Sequence, residues 1–340
     1  MSIYHSPAGK KKILSLYHAQ LKRLNVPYRD LWVHTAFGRT HLIRTGNPDG
    51  IPLLIFHGGN ATTAYTLLSC DFLMRDFLIY AVDTIGHPGK SAEVSLSPFN
   101  YDYGKWAGEV ISQLGYSSIR CFSGSFGAGI IAKTMCICPE KVRSAVLYIP
   151  SAINNAPAAA SIRMLLPMIL FRITGRSKWL KRCLLPLALT EDNITKDVFE
   201  TAKLSIQYAK VKAGMPSNVS AKRMRRCSAP TLVMAAEKDC LYPAKRVLPR
   251  AKRIIRNCSV YMLKGRGHMH FLTESEKRMI SAFLKQYIYR KRLIGWRSGT
   301  RGTDAAKSVR AAQTAMYIGG MKASARMRPS SPEPAISRFR

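Results

Sequence analysis

Ile119-Arg120-Cys121-Phe122-Ser123-Gly124-Ser125-Phe126-Gly127-Ala128-Gly129 is the stretch whose reading decides the fold. A short, mostly apolar run suited to a strand passes straight into a small-x-Ser-x-Gly turn. Residues 127–137 then carry apolar side chains spaced by three and four, as in a helix. Strand, sharp turn and helix in that order form the nucleophile-elbow pattern, with Ser123 where the first glycine usually stands. The turn is tight, so its flanks at Ser123 and Gly127 must be small. It lifts the Ser125 hydroxyl clear of a sheet, where the Phe126 N–H at the helix start can meet a developing negative charge. A phosphate-binding turn would use the same residue types, so the pattern does not stand alone.

Three further segments bear on it. His57-Gly58-Gly59-Asn60 follows the continuous apolar run 51–56. Its glycines let a backbone N–H approach a substrate oxygen, which makes Gly59 the expected second oxyanion donor beside Phe126. His57 precedes the serine and is expected to pack or cap, since the base normally comes last. Ala236-Glu237-Lys238-Asp239 follows an apolar run at 231–235. A carboxylate there can accept from an imidazole N–H and fix its tautomer. Asp239 is the first choice, Glu237 the reserve, and a solvated acidic loop the plain alternative. Gly265-Arg266-Gly267-His268-Met269-His270-Phe271 follows a run at 259–263, and its glycines leave His268 uncrowded. His268 and His270 could also be read as a metal pair, but no third ligand sits at a suitable spacing, so no metal is expected. Ser125, Asp239 and His268 thus occur in the order that acyl-transfer chemistry takes on a doubly wound sheet, each just beyond a strand. His268 would take the Ser125 proton and Asp239 would steady the imidazolium.

The rest of the chain fits an α/β reading. Strand signals at 31–35 and 40–44 flank Phe37-Gly38-Arg39 as a hairpin, and further strands are expected at 77–82, 119–123 and 145–149. Helical spacing at 62–74 and 103–114 alternates with them, which predicts a mostly parallel sheet covered on both faces. The alternation stops at Pro150. Residues 151–226 are helix-like, apolar and basic, and strand–helix alternation resumes with helices at 244–253 and 274–289. Residues 1–29 read as a basic N-terminal extension with weak helical spacing at 13–24. Residues 291–340 are rich in Gly, Ser, Pro and Arg and read as a disordered basic tail. The apolar stretch Met164, Leu165, Leu166, Met168, Ile169, Leu170 and Phe171 offers either an acyl or alcohol pocket or plain packing onto the core.

The 340 residues include 53 Lys+Arg against 19 Asp+Glu, a formal net charge of +34. Hydrophobic residues at 47% and charged residues at 21% exclude a mostly disordered, collagen-like or disulfide-stapled molecule. Residues 285–340 hold 13 Lys+Arg and 2 Asp+Glu, so most of the excess lies in the folded part. No Lys/Arg run exceeds three and no zinc-finger spacing accompanies it, so the charge reads as a general anion-attracting surface, not a specific nucleic-acid site. Weak binding to anionic surfaces is compatible with it. The eight cysteines are scattered, and Cys136-Ile137-Cys138 is too short for a zinc knuckle. No signal-peptide pattern opens the chain, and the longest strongly apolar patch, 165–171, is far short of the ~20 residues of a membrane span, so a cytoplasmic protein is expected.

Through FHGGN (56–60), AVDTIGHPGKS (81–91), SGSFGAG (123–129), PTLVMAAEKD (230–239) and GRGHMHF (265–271), the chain resembles the α/β-hydrolase superfamily in its carboxylesterase-like branch. The likeness covers roughly residues 30–289. Asp83 to Ser91 resembles the family's D-x-x-G-x-G-x-S stretch, one residue longer at His87-Pro88. The resemblance implies an eight-stranded sheet, with 30–150 and 227–290 as the hydrolase core and 151–226 as a helical cap. It also implies a serine hydrolase, needing no cofactor, that cleaves a small-molecule carboxylic ester through an acyl-enzyme. A serine at position 125 argues against the dehalogenase and epoxide-hydrolase branches, which place an aspartate there. A slow or non-catalytic ligand-binding protein of the same fold is the alternative. A basic adaptor for nucleic acid or an anionic membrane is a third reading.

Overall fold

The computed structural model of the chain describes residues 2–210 and 214–286. The expected tail 291–340, and the extension of the last helix to Tyr289, lie outside the described residues. An eight-stranded sheet has the order β1-β2-β4-β3-β5-β6-β7-β8. Its strands are β1 Tyr28–Thr35, β2 Gly38–Gly46, β3 Ile51–Phe56, β4 Phe77–Val82, β5 Ile119–Gly124, β6 Val142–Tyr148, β7 Thr231–Ala236 and β8 Cys258–Leu263. β2 runs antiparallel to both β1 and β4, and every other pairing is parallel. All side chains of β4 and β7 are buried, which explains their unbroken apolar sequences, FLIYAV and TLVMAA. β1, at the edge, is largely exposed along its length.

Alternate residues of the central strands feed two cores. Leu54 and Phe56 point into a cluster with Trp106, Val110, Ile130, Val247 and Ile254, which belongs to the face covered by α3 (Asp102–Gln113), α4 (Ser125–Ile137) and α9 (Ala244–Ile254). Leu53 and Ile55 point the other way, onto α1 (Pro7–Arg23), α2 (Thr63–Ser69) and α10 (Glu274–Lys285), through Tyr17, Leu21, Leu67, Ile280 and Leu284. The two-residue period of a strand makes this two-sided core.

Some elements depart from the sequence expectation. The hairpin strands are longer than expected, and Thr35 pairs with Gly38 across a two-residue turn. The expected single helix at 62–74 is two pieces, since α2 stops at Ser69 and a separate 3₁₀ turn spans Asp71–Leu73. The Asp71 carboxylate accepts the Phe72 N–H at 2.7 Å, the kind of local bond that competes with a continuing helix. Near the N-terminus α1 starts at Pro7, capped by the Ser6 hydroxyl, which accepts from the Gly9 N–H. Ile13, Tyr17 and Leu21 of α1 are buried, while Lys11 and Lys12 face solvent, so the helical spacing is masked by the lysines in a simple reading.

Between β6 and β7 the chain forms α5 (Ile162–Thr174), α6 (Ser177–Ala188), α7 (Lys196–Tyr208) and the short α8 (Ala221–Met224). Phe171, Leu180, Leu184, Ala202 and Ile206 make a separate small core for this insertion. It is tied to the sheet domain through α1, where Gln20 Nε2 donates to Thr201 Oγ1 at 3.0 Å and Arg23 pairs with Asp197 at 2.6 Å.

Candidate active site

The elbow is built from backbone strain and close approach. Ser125 has φ +55, in the left-handed region that non-glycine residues rarely enter and that costs on the order of 1–3 kcal/mol. Gly127 stands where a Cβ would come within 2.4 Å of the Phe56 carbonyl oxygen, so the start of α4 can press against the end of β3 only without a side chain. Ser123, in the place of the usual glycine, is fully buried, and its Oγ accepts the Phe56 N–H at 2.8 Å. Its hydroxyl therefore joins β3 to β5 at the level where Phe56 and Ser123 pair. Behind the turn, the Ser151 N–H and hydroxyl both donate to the Ser125 carbonyl at 3.2 Å.

His268 reaches this turn from the loop after β8. Its Nε2 lies 3.0 Å from Ser125 Oγ, and its Nδ1 lies 2.7 Å from Asp239 Oδ2. Asp239 Oδ1 accepts the N–H groups of Leu241 at 2.7 Å and Tyr242 at 3.0 Å. Burial alone would raise the Asp239 carboxyl, but the His268 charge and hydrogen bond, with the two backbone donors, hold it below the usual carboxylate range. An ionised Asp239 demands a proton on His268 Nδ1, which leaves Nε2 to accept from the serine. The loop is held on both sides. Arg266 donates to the Phe271 carbonyl and pairs with Glu276 at 2.8 Å, and Glu276 completes the capping box of α10 with Thr273.

Glu237, the reserve carboxylate, lies elsewhere: it is exposed, and its Oε2 accepts the Gly265 N–H at 2.7 Å. Both ring nitrogens of His270 are engaged, Nδ1 with the Gly267 carbonyl at 2.9 Å and Nε2 with the Tyr148 hydroxyl at 2.6 Å. Gly58 and Gly59 face the elbow. A Cβ on Gly58 would stand 3.7 Å from Ser125 Cβ, and one on Gly59 3.8 Å from Phe126 Cβ. His57 is buried beneath them. Its Nε2 accepts the Thr84 N–H at 3.1 Å, so Nδ1 carries the proton, which it donates to the Gly58 carbonyl at 2.8 Å. The imidazole thus fixes the glycine turn. Phe126 lies in the first turn of α4, where N–H groups lack intrahelical acceptors.

Three neighbours of this cluster were not singled out from sequence. Tyr242 packs its ring edge-on to His268, with centroids 5.4 Å apart, and its phenol lies beside Ser125 and Ser151. Ser151 braces the elbow, as described. His87, in the lengthened part of the 83–91 loop, is buried with its ring centroid 4.8 Å from that of Phe126 and 5.6 Å from that of His57. Its insertion was visible in the sequence; its neighbours were not.

The same loop rests on a hydrogen-bonded network centred on the buried Asp83 and His41. Asp83 Oδ2 meets His41 Nδ1 at 2.8 Å and accepts the Lys90 N–H at 2.8 Å, while His41 Nε2 meets Asp30 at 2.6 Å. The Tyr17 hydroxyl donates to Asp83 from α1. Burial would raise the Asp83 carboxyl, but His41 and the hydrogen bonds hold it down.

No protein-family model matches the chain. It is 24% identical over 268 residues to carboxylesterase YbfK of Bacillus subtilis, covering 76% of this chain and 88% of that one. Among solved structures it superposes on the crystal structure of the same esterase, CesB (YbfK), with a TM-score of 0.70 at 20% identity, over 82% of this chain and 99% of that one. It superposes on Bacillus subtilis naproxen esterase with a TM-score of 0.68 at 19% identity, over 86% and 99%.

Proposed function

We propose that this chain, an α/β-hydrolase of the carboxylesterase-like branch, is an ester hydrolase that works through a Ser125–His268–Asp239 triad and an acyl-enzyme. The observation that carries the reading is the single imidazole within hydrogen-bond reach of both a strained, partly exposed serine and a buried carboxylate. Nε2 of His268 accepts the Ser125 proton as Oγ attacks the ester carbonyl carbon. The carbonyl electron pair moves onto oxygen, where the N–H groups of Gly59 and Phe126 receive it. Collapse of this adduct expels the alcohol, which takes its proton from His268, and leaves the acyl group on Ser125. Water then gives a proton to His268 and attacks the acyl carbon, releasing the acid and restoring the serine. Asp239 stays ionised throughout and holds the imidazolium in place.

The relatives' names, a carboxylesterase and a naproxen esterase, support carboxylic esters as the substrate class. Hydrolysis of p-nitrophenyl esters of increasing acyl length tests the reading. The wild-type chain should turn over one or more of them, and Ser125→Ala should lose a factor on the order of 10³ or more while unfolding like the wild type. A Ser125→Ala variant that hydrolyses at the wild-type rate would sink the assignment. Absence of turnover by the wild type would favour a ligand-binding role for the same site.

A further inference from the structure

Helix α5 has two apolar faces, and the fold uses only one. Phe171 is fully buried in the insertion's own core, with Met168 packed beside it. On the opposite side Ile162, Leu165, Leu166, Ile169 and Ile173 are 66%, 49%, 63%, 43% and 76% exposed. At about 100° per residue these five fall in one narrow stripe along the helix. Arg163 and Arg172, both exposed, lie about a quarter-turn to either side of it. The sequence left this segment as pocket lining or core packing; the exposure of Leu165, Leu166 and Ile169 excludes packing into the core.

The stretch that carries α5 and α6 is cationic. Residues 151–190 contain six Lys and Arg and no Asp or Glu. After α5 ends at Gly175, Arg176, Lys178, Lys181 and Arg182 continue the charge over the outer side of α6. Lys181 pairs with Glu191 at 3.0 Å. The other five have no carboxylate partner among the described residues. An unused aliphatic stripe of this size marks an interaction surface, and its charge selects the partner. A second copy meeting it across a two-fold axis would bring the same cations face to face. A lipid surface satisfies both halves of the pattern: the aliphatic side chains enter the headgroup–acyl boundary, and flanking arginines reach the phosphates with their stems lying along the apolar surface.

We propose that α5 docks this protein on an anionic lipid surface, with the Ile162–Ile173 stripe inserted and Arg163 and Arg172 on lipid phosphates. The insertion contacts the His268 loop directly, through the Met269 N–H to the Leu187 carbonyl at 2.9 Å, so the docked element is joined to the candidate site. The inference stands apart from the proposed hydrolysis.

Flotation of the full chain with phosphatidylcholine vesicles, with and without phosphatidylglycerol, tests it. The wild type should float with the phosphatidylglycerol vesicles, and less so as salt is raised. The pair Leu166→Ser and Ile173→Ser leaves every charge in place, and should lower partitioning by about tenfold or more. The pair Arg163→Gln and Arg172→Gln should lower it several-fold. Both should keep the wild-type circular dichroism and hydrolysis of a water-soluble ester, and Ser125→Ala should float like the wild type whether or not the chain is an esterase. Ile162→Ser, in the first turn, provides a milder test of the stripe should a pair fail to fold. Four results would overturn the proposal: no flotation of the wild type, equal flotation with neutral vesicles, serine variants that float unchanged, or a solution dimer that the serine pair converts to monomer. The last would make a second copy the occupant.

Discussion

Two carboxylates stand two positions apart after β7, and the fold gives them different work. Asp239 is buried, with one oxygen on His268 and the other on two backbone N–H groups, whereas Glu237 is exposed and binds a backbone N–H of the neighbouring loop. Asp239→Asn should therefore lower kcat by on the order of 10⁴, because an amide no longer enforces a proton on Nδ1. Glu237→Gln should cost far less. Steady-state kinetics on one soluble ester compares them, and a greater loss in Glu237→Gln would mean that the wrong acid has been assigned. These residues could be read from sequence because each follows a strand and the three come in the required order. Tyr242, Ser151 and His87 could not. Ser151 lies three residues beyond the end of β6, and only the parallel pairing of β5 with β6 brings it behind the elbow. His87 owes its place beside Phe126 to the loop after β4.

At the scale of elements, legibility followed burial. β3, β4 and β7 are covered on both faces, so their apolar runs were continuous and unmistakable. The elbow was legible for a steric reason, since little besides glycine fits 2.4 Å from the Phe56 carbonyl. Ser123 kept its function hidden, because only the pairing with β3 shows its hydroxyl taking over a backbone hydrogen bond. α5 was the hardest to read. Its apolar residues surround almost the whole helix, so periodicity could not say which face meets the core and which meets solvent. α2 gave up its last turn to a local Asp71 bond that no periodic pattern contains.

Across the whole molecule, composition revealed the +34 charge but not how the few acids are spent. Asp83, Asp239 and Glu276 are buried and each meets a histidine or arginine, while the positive excess is left to the surface. Three histidines near the site are the reverse case. Burial holds His57 below its ordinary value, His87 at about 3 and His270 at about 4. The unfolded chain therefore binds protons that the fold refuses, from about pH 6.5 downward. The stability these groups contribute is complete above that value and is lost as pH falls toward 4. The slope is about 1.4 kcal/mol per pH unit each for His87 and His270, with His57 acting in the same direction and the depressed carboxylates adding to it at lower pH. Urea unfolding at a series of pH values should show the midpoint falling steadily from about pH 6.5 to 4.5, and a midpoint constant over that range would contradict the burial of neutral histidines. The proposed chemistry requires one serine, activated by one histidine, to attack the substrate. Labelling with a fluorophosphonate reads it directly, because Oγ must attack phosphorus and displace fluoride. Peptide mass mapping of the labelled chain should find the adduct on Ser125 alone, in step with loss of hydrolysis, and His268→Ala should slow its formation by orders of magnitude. An adduct on another residue, or inactivation with Ser125 unmodified, would contradict the account.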